Sequence, residues 1–197
     1  MSKLILCPDL ATSPDITLTE NGSCFDMIWE SGGVIQENEY DLSRLEFVCE
    51  NLPGGRFPDY AVSDLGCSIV SARLRKLFDH YQIDNIQYFD ATIKESQAAV
   101  AKGGYYAANF IGLVKCIDVD NSEMDAEQND DGETTIIYSI DKLVLADPVP
   151  DQMLYRAFAF SRLILVDEQL KDLFHRHGIE GVKCIAPDRW DGINGEI

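Results

Sequence analysis

Apolar residues fall at i, i+3 and i+4 twice in this chain: Leu74, Leu77 and Phe78, and again Leu170, Leu173 and Phe174. Each triplet marks one face of a helix. Ser71 and Asp167 precede these triplets, where a side-chain oxygen can accept from a free amide of the first helical turn. After the second helix Gly178 suits a left-handed residue, with Ile179 folding back onto Phe174. After the first, Gln82 holds that place and Ile83 faces Phe78. If the two turns share a geometry, Gln82 carries a positive φ at a cost of about 1 kcal/mol. Strand-like runs bracket both helices: CSIV (67–70) and NIQYFDAT (85–92) around the first, LILV (163–166) and GVKCIAP (181–187) around the second.

The chain thus writes a strand, capped helix, tight turn, strand unit twice, at about 68–91 and 164–187, offset by 96 residues. Two copies are too few for a solenoid. They fit two lobes, or one sheet carrying both helices.

Elsewhere the pattern predicts strands. KLILC (3–7) and LEFVCE (45–50) read as strands. Residues 105–117 read as one or two strands, and 134–147 as two with a break near Asp141. YRAFAF (155–160) alternates as another. Residues 8–43, punctuated by Pro8, Pro14, Gly22, Gly32 and Gly33, read as loops and short pieces. The expected class is α+β, with a mixed or antiparallel sheet. Residues 1–59 are expected to add strands and loops to the same fold, and 60–197 to hold the two units.

Composition narrows the function classes more than the fold. Of 197 residues, 46% are apolar and 25% charged, which are ordinary globular values. No apolar stretch is long enough to span a membrane, and the four-residue run LILC is too short for a signal peptide. The chain is expected to be cytoplasmic. Cys7, Cys24, Cys49, Cys67, Cys116 and Cys184 form no C-x-x-C pair and are expected to be reduced, several of them in the core.

Charge is the unusual quantity: 34 acids against 16 bases, a net −18. Such a chain repels nucleic acid and anionic lipid at long range, and a macromolecular partner is expected to be basic. From Asp118 to Glu133 there are eight acids and no base. Asp118, Asp120, Glu123, Asp125, Asp130, Asp131 and Glu133 are candidate partner contacts, with a solvated loop as the plainer reading. An EF-hand is excluded there, because Glu123 stands where the loop needs glycine and Asn129 where it needs a bidentate glutamate. Asp188, Trp190 and Asp191 form a second candidate, an aromatic anchor flanked by acids. Its plainer reading is a tail tryptophan packed onto the fold.

Catalytic signatures are missing. No P-loop, dinucleotide fingerprint or nucleophile elbow occurs. His175 and His177 point about 160° apart on a helix and cannot share a metal. His177, like Tyr81 in the first unit, is expected to be half-buried at the edge of the apolar face. No catalytic residue, metal site or cofactor is expected.

The segments VDEQLKDLFHRHGIEGVKCI (166–185), YYAANFIGLVKCIDVDNS (105–122), IDKLVLAD (140–147) and YRAFAFSRLILV (155–166) resemble a family of bacterial immunity proteins. That family, first described as a domain of unknown function, accompanies polymorphic toxins. The resemblance covers roughly residues 60–190 and implies neutralisation of a cognate toxin by binding it. It implies no catalytic residues. Two other readings stand beside it. One is an enzyme whose site is assembled from scattered groups, such as Cys67 with His80, or the carboxylates of 118–133. The other is a homodimer or other homo-oligomer joined through strand edges or one helical face.

Overall fold

A computed structural model describes residues 2–19, 28–40, 42, 45–52, 55–95 and 101–193. Cys24 and Gly22 lie outside the described residues. The elements run β1 (Lys3–Pro8), β2 (Asp15–Leu18), β3 (Leu45–Glu50), β4 (Tyr60–Val62), β5 (Ser68–Ser71), α1 (Ala72–His80), β6 (Ile86–Glu95) and β7 (Ala101–Phe110). They continue with β8 (Leu113–Val114), β9 (Glu123–Gln128), β10 (Thr134–Lys142), β11 (Leu154–Ala157), β12 (Ile164–Asp167), α2 (Glu168–Arg176) and β13 (Val182–Ile185).

The class is α+β, and of the two arrangements open from the sequence, one sheet carrying both helices is not found, because the strands divide between sheets. Six strands form one sheet in the order β2-β3-β6-β7-β5-β4, and five form another, β13-β1-β12-β11-β8. Strands β9 and β10 make a separate hairpin. Both larger sheets are mixed, since β3–β6 and β8–β11 run parallel while the other pairs are antiparallel. The division follows from β1. It inserts between β12 and β13, pairing antiparallel with each, so the second helix has a sheet of its own.

Each helix joins two strands that flank a common middle strand. Around α1, both β5 and β6 pair antiparallel with β7. Around α2, both β12 and β13 pair antiparallel with β1. On the far side β4 pairs with β5, and β11 with β12, again antiparallel. The middle strand of the first group follows its helix, whereas that of the second group comes from the N-terminus.

Local chemistry sets the helix ends. Ser71 Oγ accepts from Leu74 N at 3.1 Å and Asp167 Oδ1 accepts from Leu170 N at 2.8 Å. At the other end Ile83 N donates to Phe78 O and Ile179 N to Phe174 O. Gln82 has φ 58° and Gly178 φ 57°, so the glutamine does adopt the left-handed turn that glycine takes freely.

Three cores explain the strand patterns. In the first, Leu74, Leu77 and Phe78 of α1 and Leu170, Leu173 and Phe174 of α2 meet one face of each large sheet. The second covers the other face of the six-stranded sheet, around Phe47, Ile69, Phe89 and Trp29. The third covers the other face of the five-stranded sheet, around Tyr155, Leu165, Ile137, Ile140 and Trp190. Strand β1 shows why an unbroken apolar run was needed: Leu4 and Leu6 enter the first core, Ile5 and Cys7 the third.

Asp59 links the two helical groups. Its Oδ1 accepts from Ser71 Oγ at 2.6 Å and its Oδ2 from Glu180 N at 3.0 Å. One carboxylate thus fixes the cap of α1 to the turn after α2. Gly181 completes the contact, because a Cβ there would lie 2.1 Å from Tyr60 O.

Candidate partner-binding surface

Residues 118–133 are not the loop expected between strands. Asp118–Ser122 is a turn, Glu123–Gln128 is β9, and a second turn leads into β10. The first turn is held by Asp118, whose Oδ2 accepts from Asn121 Nδ2 at 2.8 Å and whose Oδ1 accepts from Asn121 N at 3.2 Å. In the second, Asn129 Oδ1 accepts from Asp131 N at 3.1 Å and Glu133 N at 2.9 Å. Asp130 and Asp131 are left exposed at the tip.

Strand β10 buries Thr134, Ile137 and Ile140, one residue in three rather than one in two. Its register shifts three times against β9, so extra residues bulge outward. The break expected near Asp141 falls at Leu143 and Val144, just past the end of the strand at Lys142. Beyond it Leu145 contributes only an isolated bridge to Ile117. Bulging also turns Ile136 and Tyr138 to solvent, at 47% and 53% exposure.

The outward face of the hairpin is therefore an apolar pair among carboxylates. Tyr138 donates its hydroxyl to Glu127 Oε2 at 2.7 Å, and that bond raises the phenol's pKa. Glu123 faces Lys142 at 3.9 Å, and Glu133 pairs with Lys115. The bond from Lys115 holds the Glu133 carboxyl below its usual range. Among the described residues no base pairs with Asp120, Asp125, Asp130 or Asp131. Sequence reasoning passed over Glu127, which orients the tyrosine. Its signal was present, since it alternates with Asp125 and Glu123 along β9.

The second candidate divides. Asp188 and Asp191 are exposed, but Trp190 is 6% exposed and belongs to the third core. Its ring meets Phe160 edge to face at 6.2 Å, and its Nε1 donates to Ile193 O at 3.2 Å. It is thus no free anchor, because the short helical turn Pro187–Arg189 directs it inward. The tail and hairpin nonetheless meet: a Cβ on Gly192 would lie 2.5 Å from Ile140 O. Asp141 of β10 and Asp191 of the tail line the same cleft, of about 660 Å³.

Arg156 is buried at the edge of that cleft. Its Nε donates to Phe110 O at 3.0 Å, Nη1 to Ser161 O at 2.6 Å and Nη2 to Trp29 O at 2.6 Å. Burial lowers its pKa, but the three carbonyls make it a strut between backbone segments.

The structure does not bring Cys67 and His80 together. Cys67 lies in the second core, while α1, whose last residue is His80, lies on the opposite face of that sheet. Burial pushes the Cys67 thiol up, away from a nucleophilic thiolate. His175 and His177 are both exposed, so the half-buried packing expected for His177 is not found. It ends the helix as its C-cap, with its side chain clear of the apolar face. Among the described residues no group of three or more His, Cys, Asp or Glu could hold a metal ion. No helix among them is long and apolar enough to cross a membrane.

The described residues thus form a two-sheet α+β fold that carries an acidic, partly apolar hairpin. A family model of the Imm11 immunity proteins matches residues 9–186, and the chain belongs to that family. The match extends into the N-terminal third, where resemblance in sequence was weak. No curated protein matches the chain.

Proposed function

We propose that this protein neutralises a bacterial toxin by binding it and covering its working surface, without catalysis. The observation that carries this reading is membership of an immunity family across most of the chain. The hairpin supports a contact role: Glu123, Asp125, Asp130, Asp131 and Glu133 are exposed on β9 or at its tip, with Asp120 at its base. Asp118 acts mainly in shaping the turn. Asp188 and Asp191 extend the acidic surface, and Trp190 supports it from within. The partner face is basic, because a net charge of −18 attracts such a surface from a distance. The same charge disfavours nucleic acid and anionic membranes. We place the protein in the cytoplasm, where its five described cysteines stay as free thiols.

Co-expression with the product of the adjacent gene tests the reading. The two products are expected to co-purify at moderate salt, and cells making both to survive. Separate elution together with continued toxicity would reject neutralisation.

We also infer that β4-β5-α1-β6-β7 and β11-β12-α2-β13-β1 are two copies of one unit. Register supports this from two directions. Ala107 faces Ile69 as Ile5 faces Leu165, and Phe110 faces Ile86 as Pro8 faces Val182.

A further inference from the structure

We propose that the open edge of β9 receives an extended strand of the toxin, one in which Lys or Arg alternates with apolar residues. This rests on the neutralisation reading and names the mode of contact.

Among the described residues strand β9 has one neighbour, β10. The far side of β10 is engaged: Ile137 N donates to Ala159 O at 2.8 Å, and Arg162 Nη2 donates to Tyr138 O at 2.8 Å. Strand β9 itself pairs with no second strand among the described residues. Its six residues offer an edge of roughly 20 Å, at about 3.4 Å per residue. An unpaired edge is a template for a further strand.

Side chains say which strand fits. Glu123, Asp125 and Glu127 are exposed, while Met124 and Ala126 are half-buried at the rim of the third core. A strand laid alongside would bring alternate residues beside the carboxylates and the others onto Met124 and Ala126. The first set must be cationic and the second apolar. Ile136 and Tyr138, on the same outward face, offer a platform for the apolar stems of Lys or Arg. A second copy of this chain is a poor occupant. Pairing β9 with itself would set carboxylates beside carboxylates, and like charges across strands are destabilising.

The test is amide hydrogen exchange on the full chain, alone and in complex with the protein product of the adjacent gene. Exchange across Glu123–Gln128 is expected to slow at least 10-fold in the complex. Asp125→Lys combined with Glu127→Lys, both on the surface, is expected to weaken Kd by about 100-fold, because like charges then meet across the interface. A complex that leaves exchange at 123–128 unchanged would overturn strand addition while keeping neutralisation. No complex at all would remove both. Slow exchange at 123–128 in a dimer of the chain alone, lost in the same variant, would give the edge to a second copy and overturn the proposal.

Discussion

Phe78 of α1 and Phe174 of α2 meet edge to face, their ring centroids 6.1 Å apart at 73°. They hold corresponding places, each seven residues after a side chain that caps its helix, Ser71 or Asp167. The first core is therefore closed by matching residues of the two helices, and the sheets meet through that contact. Phe78 also meets Phe110 of β7 at 6.5 Å, so the ring connects both helices to the six-stranded sheet.

Phe78→Leu and Phe174→Leu should each cost about 1 kcal/mol, since the swaps roughly conserve volume. The edge-to-face geometry adds a coupling of about 0.5–1.5 kcal/mol, and the double variant should lose less than the sum. Urea unfolding of the four proteins measures it. Strict additivity would mean that the rings merely share a core.

Gln82 and Gly178 offer a cleaner comparison, because their φ angles differ by one degree. Gln82→Gly should raise stability by about 0.5–1 kcal/mol, the relief of left-handed backbone being partly offset by chain entropy. Gly178→Ala should lower it by about 1 kcal/mol through φ alone, since an added Cβ would sit no closer than 3.6 Å to Arg73 Nη2. Gly181→Ala should be the most damaging, near 3 kcal/mol, because its Cβ would press on the Tyr60 carbonyl. Urea midpoints rank the three. A stabilising Gly181→Ala would contradict the packing of that turn.

Much of this local structure was legible in the sequence. The i, i+3, i+4 triplets, the two caps and the turn at Gln82 depend on neighbours within a few residues. The origin of the middle strands was not legible. β7 lies close to α1 in the chain, but β1 reaches its place beside α2 from the N-terminus, and a local pattern cannot signal that closure. The hairpin was half hidden for another reason. Strand β10 was read from its β-branched run, but its partner β9 alternates the exposed carboxylates Glu123, Asp125 and Glu127 with only Met124 and Ala126, too weak an apolar signal for a strand. Trp190 misled because flanking acids say nothing about which way a ring turns. Its neighbours Phe160 and Ile140 come from distant segments.

Trp190→Ala separates the two roles offered by the sequence. A core residue of this size should cost about 3–5 kcal/mol on truncation. Trp190→Phe should restore much of that and leave toxin affinity within about twofold, since the ring does not reach solvent. Thermal unfolding and a binding titration on the same samples decide between them. Full stability with lost binding would return the tryptophan to the interface.

Buried thiols should make the protein sensitive to alkali. Burial pushes Cys7, Cys116 and Cys184 up to about 12, from an ordinary 9.0. The unfolded chain therefore releases these protons first. Their contribution to stability is complete below pH 9 and is lost as pH rises toward 12. Urea midpoints should fall across that range, and less steeply in a Cys7→Ala, Cys116→Ala, Cys184→Ala variant. Maleimide at neutral pH should label these thiols slowly until the chain is unfolded.

The acids at the tip of the hairpin, unlike those along β9, should govern how fast the toxin arrives more than how long it stays. Asp130 and Asp131 sit at an exposed tip, and attraction through water is screened within roughly 10 Å at 0.1 M salt. Raising salt from about 50 mM to about 500 mM should lower the association rate at least 10-fold with little change in dissociation. Asp130→Lys with Asp131→Lys should slow association at low salt and converge with the parent at high salt, because the tip steers without being buried. Glu133→Gln should act more weakly, since Lys115 already neutralises that carboxylate. Stopped-flow association and dissociation rates separate the two phases. If the tip variant altered only dissociation, the tip would lie inside the contact, and steering would fall to the remaining charge of the chain.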